Sequence, residues 1–170
     1  DKAADIGTLT HQLIQHELQP DIVVDETRWP LENRTAAQFG LEAFRSWSSQ
    51  HSLETVNTEQ ALISQELVFG GTLDWVGRLD GELSCIDFKT SRGIYGSHRI
   101  QVAAYLWLYH ENFGIWIKAH ILHLNKETAE VHHYPLGDLN YEWDVFRHLL
   151  KLHNLRPVVD TAIFPESKQV

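Results

Sequence analysis

Cys85 is the only cysteine in this chain of 170 residues. A lone thiol excludes an intramolecular disulfide framework, a four-cysteine iron–sulfur cluster and a CxxC zinc knuckle. It points to the cytoplasm or another intracellular, reducing compartment. Basic residues are also scarce: 14 Lys and Arg stand against 23 Asp and Glu, for a net charge of −9. That balance argues against coating nucleic acid or an anionic membrane by bulk attraction, while leaving room for a small local basic site. No apolar run approaches the ~20 residues of a membrane span, and the opening DKAADIG carries no signal-peptide pattern. Repeats, low-complexity tracts and linkers are missing too, so one domain is expected over 1–170. What is present is globular composition, 43% hydrophobic and 22% charged. A chain of this length buries roughly 70% of its unfolded surface on folding.

The hydrophobic pattern predicts an amphipathic helix over 7–18, where Leu9, Leu13, Ile14 and Leu18 share a face before Pro20. A second helix is expected over 36–50, with Ala37, Leu41, Phe44 and Trp47 as its stripe. Strands follow over 56–64, 72–79 and 82–89, the last two joined at Asp80-Gly81, a two-residue hairpin signal. A helix over 98–114, ending at Gly114, precedes strands over 115–125 and 130–136 and a closing helix over 140–154. This order implies an α/β domain with a mixed sheet.

The hairpin concentrates the chemistry. If Asp80 and Gly81 form its loop, Leu79 faces Glu82 and, rung by rung, Asp74 faces Asp87. Directly opposed side chains have Cβ atoms ~5 Å apart. Two carboxylates held there among Leu, Trp, Val, Ile and Phe need a shared proton or a cation between them. Lys89 lies on the same face as Asp87, roughly 7 Å along the strand. Two carboxylates select hard cations such as Mg²⁺ or Mn²⁺. The competing explanation is a solvated Asp-x-Lys ion pair, which a strand covered on both faces disfavours. A one-residue bulge would put the two Asp residues on opposite faces.

GGTLDWV, IDFKTS and QVAAY, with GTLTH upstream, make the chain resemble the PD-(D/E)XK nuclease superfamily in its RecB-like exonuclease branch. The pieces match in order and spacing over about residues 7 to 110. The resemblance implies a restriction-endonuclease-like α/β fold, a mixed central sheet flanked by helices, and metal-dependent hydrolysis of DNA phosphodiesters. It implies that Asp74, Asp87 and Lys89 are catalytic. His11, Asp74, Asp87 and the backbone carbonyl of Phe88 would hold one or two Mg²⁺ or Mn²⁺ ions. Gln101 and Tyr105 match the family's Gln-x-x-x-Tyr pair, whose spacing places both on one helical face. Glu59 matches an acidic residue often found on the preceding strand, although a surface glutamate explains it equally well. The expected products are a 5′-phosphate and a 3′-hydroxyl. The iron–sulfur cysteines of some relatives are missing, and with them a clamp for threading single strands.

Thr90, Ser91, Arg92, His98 and Arg99, between the catalytic strand and the Gln101 helix, are the expected phosphate contacts. Thr90 and Ser91 could instead simply close the strand end. The 11 histidines invite over-reading. His120 and His123 point to opposite faces of one strand, as do His132 and His133, so neither pair chelates one ion; surface histidines are the expectation. Trp107 and Trp116 are expected in the core, and Trp75 either there or as a base-stacking platform. The functional expectation is an exonuclease acting on DNA with free ends, single-stranded or flapped. A replication or recombination protein could deliver the substrate, and no membrane is involved. The alternatives are a non-catalytic nuclease-fold subunit that binds DNA ends or a partner, and a hydrolase of another phosphodiester such as RNA.

Overall fold

The computed structural model describes residues 2–163; the two ends of the expected 1–170 domain, residue 1 and residues 164–170, lie outside the described residues. The elements run α1 (Lys2–Leu18), a 3₁₀ turn (Glu26–Arg28), α2 (Leu31–Ser48), β1 (Leu53–Ser64), β2 (Phe69–Leu79), β3 (Glu82–Lys89), α3 (Gly96–Phe113), β4 (Lys118–Leu124), β5 (Val131–Leu136) and α4 (Asn140–Ile163). Five strands form one sheet in sequence order. β1, β2 and β3 make an antiparallel meander, and α3 crosses over so that β4 runs parallel to β3. β5 returns antiparallel to β4. The sheet is mixed and flanked by helices, the restriction-endonuclease-like α/β architecture.

Each face of the sheet is closed by a helical pair. Leu9, Leu13 and Ile14 of α1 and Leu41, Phe44 and Trp47 of α2 pack on Trp75, Ile86, Phe88 and Leu122. On the other face Val102 and Leu108 of α3 pack on Val76, Cys85, Ala119 and Ile121, with Trp143 of α4 at the margin. Each large apolar side chain removed from water contributes about 1.5–3 kcal/mol. Covering both faces explains the nearly continuous burial of β3, from Ser84 to Phe88.

Helix boundaries differ from the pattern reading mainly by extension. α1 begins at Lys2, α2 at Leu31 directly after Pro30, and α4 runs through Pro157. β4 begins at Lys118 rather than 115, because Trp116 leaves the strand to stack on His110 of α3, 4.1 Å between ring centres. Trp116 is 60% exposed, which corrects its placement in the core. Trp75 is core: it is buried, and its Nε1 donates to Thr55 Oγ1 at 3.0 Å. Among the described residues no helix is long and apolar enough to cross a membrane.

Candidate active site

The β2–β3 register is the one an Asp80-Gly81 turn dictates. Leu79 pairs with Glu82, and the ladder continues through Trp75–Ile86. There it stops, and the expected Asp74–Asp87 rung is replaced by another arrangement. The Asp74 carboxylate folds across and its Oδ2 accepts the Phe88 backbone N–H at 2.7 Å. A carboxylate thus satisfies a backbone amide beyond the last β2–β3 rung. Asp87 turns to Lys89, whose Nζ lies 3.0 Å from Oδ1 and 2.8 Å from Oδ2. Like charges at the end of the hairpin are separated by bonding each to a different donor.

β1 adds a third acid. Its ladder with β2 contains Thr58–Trp75 and Gln60–Leu73 but skips Glu59, the residue across from Asp74. Glu59 has φ +48°, a left-handed conformation that a non-glycine residue adopts at a cost of about 1–3 kcal/mol. Strain of this kind marks sites where a side chain must be aimed. Here it accompanies convergence: one ligand atom each from His11, Glu59 and Asp74 lies within 4.8 Å of the others. No composition or spacing rule foretold the twisted backbone at Glu59.

α1 brings His11 to the sheet beside its core leucines. Its Nδ1 is 3.4 Å from Asp74 Oδ1, and its ring meets Phe88 edge-on at 5.9 Å. Burial works to lower the His11 pKa, but attraction and hydrogen bonding to Asp74, helped by Asp87 and Glu59, outweigh it and the net shift is upward. Asp87 is 3% exposed, and its pKa is pushed up to about 7, first by loss of water and then by Asp74, against the pull of Lys89. Glu59 faces solvent yet is also raised, by partial loss of hydration and by Asp74. On top of burial, all these groups feel the negative charge of Asp74.

Such a gathering of negative charge fits a divalent cation. Asp87 Oδ2 is buried without a hydrogen bond, since Lys89 Nζ is near it but not aligned with it. A carboxylate oxygen left in that state, beside an imidazole and two further carboxylates, is the donor set of an N/O-liganded divalent ion.

α3 supports the site from the opposite side. Gln101 Oε1 accepts from Lys89 Nζ at 2.9 Å, and Gln101 Nε2 donates to Tyr105 Oη at 2.6 Å. Tyr105 packs so closely over Gly71 that a Cβ there would sit 2.8 Å from its ring. The second glycine of GGTLDWV is therefore needed where α3 approaches β2. Burial, with Asp87 and Asp74 nearby, raises the Tyr105 pKa and keeps its hydroxyl protonated.

The segment after Lys89 is less uniform than expected. Thr90 is buried against Gly7 of α1, and Ser91 Oγ donates to the Gly93 carbonyl, closing the strand end. Arg92 is exposed and, with Thr90, Ser91, His123 and Lys126, lines a cleft of about 280 Å³. His123, expected at the surface, is instead buried, and its Nε2–H donates to the Ser91 carbonyl at 2.6 Å. His98 caps α3 by accepting the Tyr95 N–H at 3.2 Å, and Arg99 is held by Glu142 of α4 at 2.6 Å. These contacts direct both side chains to structural partners.

A mixed α/β sheet thus carries a His-Glu-Asp cluster able to hold a metal ion beside an Asp–Lys pair. The PD-(D/E)XK nuclease superfamily model matches residues 1–163, and the chain belongs to that superfamily. The crystal structure of a protein provisionally classed as an exonuclease, from Eubacterium rectale, superposes with a TM-score of 0.60 at 12% identity. The match covers 93% of this chain and 66% of that one, so this chain spans just under two thirds of its length. The crystal structure of SSO0001 is matched more loosely, with a TM-score of 0.39 at 16% identity over 98% of this chain and 76% of that one. No curated protein sequence matches the chain. The superfamily is one of nucleases.

Proposed function

We propose that this protein is a Mg²⁺- or Mn²⁺-dependent deoxyribonuclease that works from DNA ends and leaves a 5′-phosphate and a 3′-hydroxyl. The observation that carries the reading is the convergence of His11, Glu59 and Asp74 beside the Asp87–Lys89 pair. In this reading residues 1–170 act as a single nuclease domain. His11, Asp74, Asp87 and the Phe88 carbonyl hold one or two ions, with Glu59 as an additional acid. A bound divalent ion supplies charge relief on the phosphate and a water acidic enough to attack near neutral pH.

The chain's own groups do the rest. Lys89, fixed between Asp87 and Gln101, orients the attacking water and stabilises the negative charge that develops as the water loses its proton to solvent. Gln101 and Tyr105 keep the ammonium in place from the α3 side. Arg92 and Lys126, on the cleft beyond Thr90, are the groups best placed to meet the DNA backbone. Single-stranded or flapped ends suit a small acidic protein with little basic surface, and a replication or recombination protein that presents the end would supply missing affinity. The free, buried Cys85 accords with a cytoplasmic or other reducing compartment.

The test uses end-labelled single strands of each polarity, duplex DNA and RNA, with Mg²⁺ or Mn²⁺ and with chelator. Asp87→Ala and Lys89→Ala should each lower cleavage by more than about 1,000-fold while circular dichroism stays unchanged. Undiminished cleavage by either variant, or cleavage that survives chelator, would overturn the reading. Tight end binding without cleavage would favour the non-catalytic alternative, and preference for RNA would redirect the substrate.

A further inference from the structure

Beside the carboxylate centre the fold leaves an apolar recess of about 460 Å³ between the start of β2 and the helices α3 and α4. Phe69 and Gly71 of β2, Ile100 and Tyr105 of α3, and Phe146 and Leu150 of α4 form its walls. The Phe69 and Phe146 rings lean together, 4.7 Å between centres, and like Tyr105 they are only half-buried.

The recess is continuous with the candidate active site. Gln101 lines it and accepts from Lys89 Nζ at 2.9 Å, and Tyr105 lines it and accepts the Gln101 Nε2–H at 2.6 Å. On β2, Gly71 lies three residues before Asp74, roughly 10 Å along the strand. A ligand chain with one phosphate at Asp74 and Lys89 therefore has its neighbouring parts within reach of the recess.

The lining selects among those parts. Among the described residues, none that lines the recess is charged, and Ser97, Gln101 and the Tyr105 hydroxyl supply its polar side-chain groups. A phosphate would lose its hydration there without gaining a counter-charge. A nucleobase has two apolar faces, which aromatic rings receive by stacking, and polar edges that a carboxamide and a hydroxyl can meet.

We propose that this recess receives one unstacked nucleobase of the strand whose phosphodiester lies at the carboxylate centre. The inference rests on the nuclease reading and adds to it the form of the substrate. A base in a duplex must leave its stack and its pair to enter, a cost that a single strand or a frayed end largely avoids. Preference for single-stranded ends then comes from the aromatic walls rather than from basic surface, of which an acidic protein has little.

The experiment measures the fluorescence anisotropy of labelled oligothymidylates with Ca²⁺ in place of Mg²⁺, so that strands bind uncut, and follows cleavage in Mg²⁺ in parallel. One strand is intact, and the others carry a single abasic residue at successive positions from the end. One abasic position should weaken binding at least about 10-fold. Leu150→Trp fills the recess and Phe146→Ala removes one wall. Each variant, checked by circular dichroism, should weaken binding of the intact strand at least about 5-fold and leave that of the abasic strand unchanged. Equal binding of every strand by a parent protein that still cuts DNA overturns the base pocket and spares the nuclease reading. An abasic penalty undiminished in both variants also overturns it, and would leave the recess to an apolar side chain of a protein partner. An abasic penalty that both variants abolish, without cleavage in Mg²⁺, upholds the pocket and overturns the nuclease reading alone. If no strand is bound or cut, both fall.

Discussion

Asp87 is a carboxylate the fold keeps at a thermodynamic disadvantage. Burial and Asp74 push its pKa up to about 7, far above its value in an unfolded chain. The folded protein therefore binds this proton more tightly than the unfolded chain does. The site favours folding below about pH 4, and that contribution is lost as pH rises through about 7. Without divalent cations, Asp87→Asn should accordingly be more stable than the parent by about 1 kcal/mol near pH 8, with a smaller gap near pH 5. Urea unfolding at the two pH values measures this. Gln101 acts through Lys89 rather than on substrate. Gln101→Ala should lower kcat by about 10-fold with little change in KM, whereas a purely structural role would alter stability and leave kcat intact. Cys85 is shifted in the same direction: burial pushes its thiol up to about 12. It should resist thiol reagents at about pH 8 in the native protein and react once unfolded, as followed by mass spectrometry.

At the scale of elements, β2 is where packing is tightest. A Cβ at Gly77 would come 2.3 Å from the Glu54 carbonyl of β1 and 2.5 Å from the Trp75 ring. Backbone cannot yield there cheaply, so Gly77→Ala should cost about 1–3 kcal/mol, read as a lower denaturation midpoint. The hairpin was legible in advance, because Asp80-Gly81 sets a register that then propagates two residues at a time. Its last rung was not. Whether Asp74 and Asp87 pair depends on electrostatics and on the other donors within reach, Lys89 and the Phe88 amide, which no turn rule encodes. α3 was legible in its stop at Gly114 and in the four-residue spacing of Gln101 and Tyr105. The capture of Arg99 by α4, like the capping role of His98, depends on neighbours that spacing does not reveal.

For the whole molecule, acidity and catalysis are linked. A net charge of −9 repels a polyanion, and the carboxylates at the end of the hairpin add to that repulsion locally. In the reading proposed here, divalent cations reverse the sign of the site at the place where the phosphate must sit, so metal is required for approach as well as for chemistry. The two-sided cover of the sheet by α1–α2 and α3–α4 then excludes water from behind the acids. This is why a short Asp-x-Lys segment, common on exposed strands, is perturbed here.

The sequence by itself determined the order of the elements, the mixed sheet, the hairpin register as far as Trp75 and Ile86, and the residue types gathered at the hairpin's end. These follow from local rules, because periodicity, turn chemistry and spacing act over a few residues. Only the tertiary structure decided which acids meet. It gave Asp87 to Lys89 and Asp74 to the Phe88 amide, and set Glu59 beside His11 on a left-handed backbone. It also joined His120 to His133, although each points away from its nearest histidine in the chain. Those outcomes depend on through-space repulsion and, Asp87–Lys89 aside, on neighbours some 13 to 48 residues apart in the chain, distances over which sequence pattern carries little geometric information.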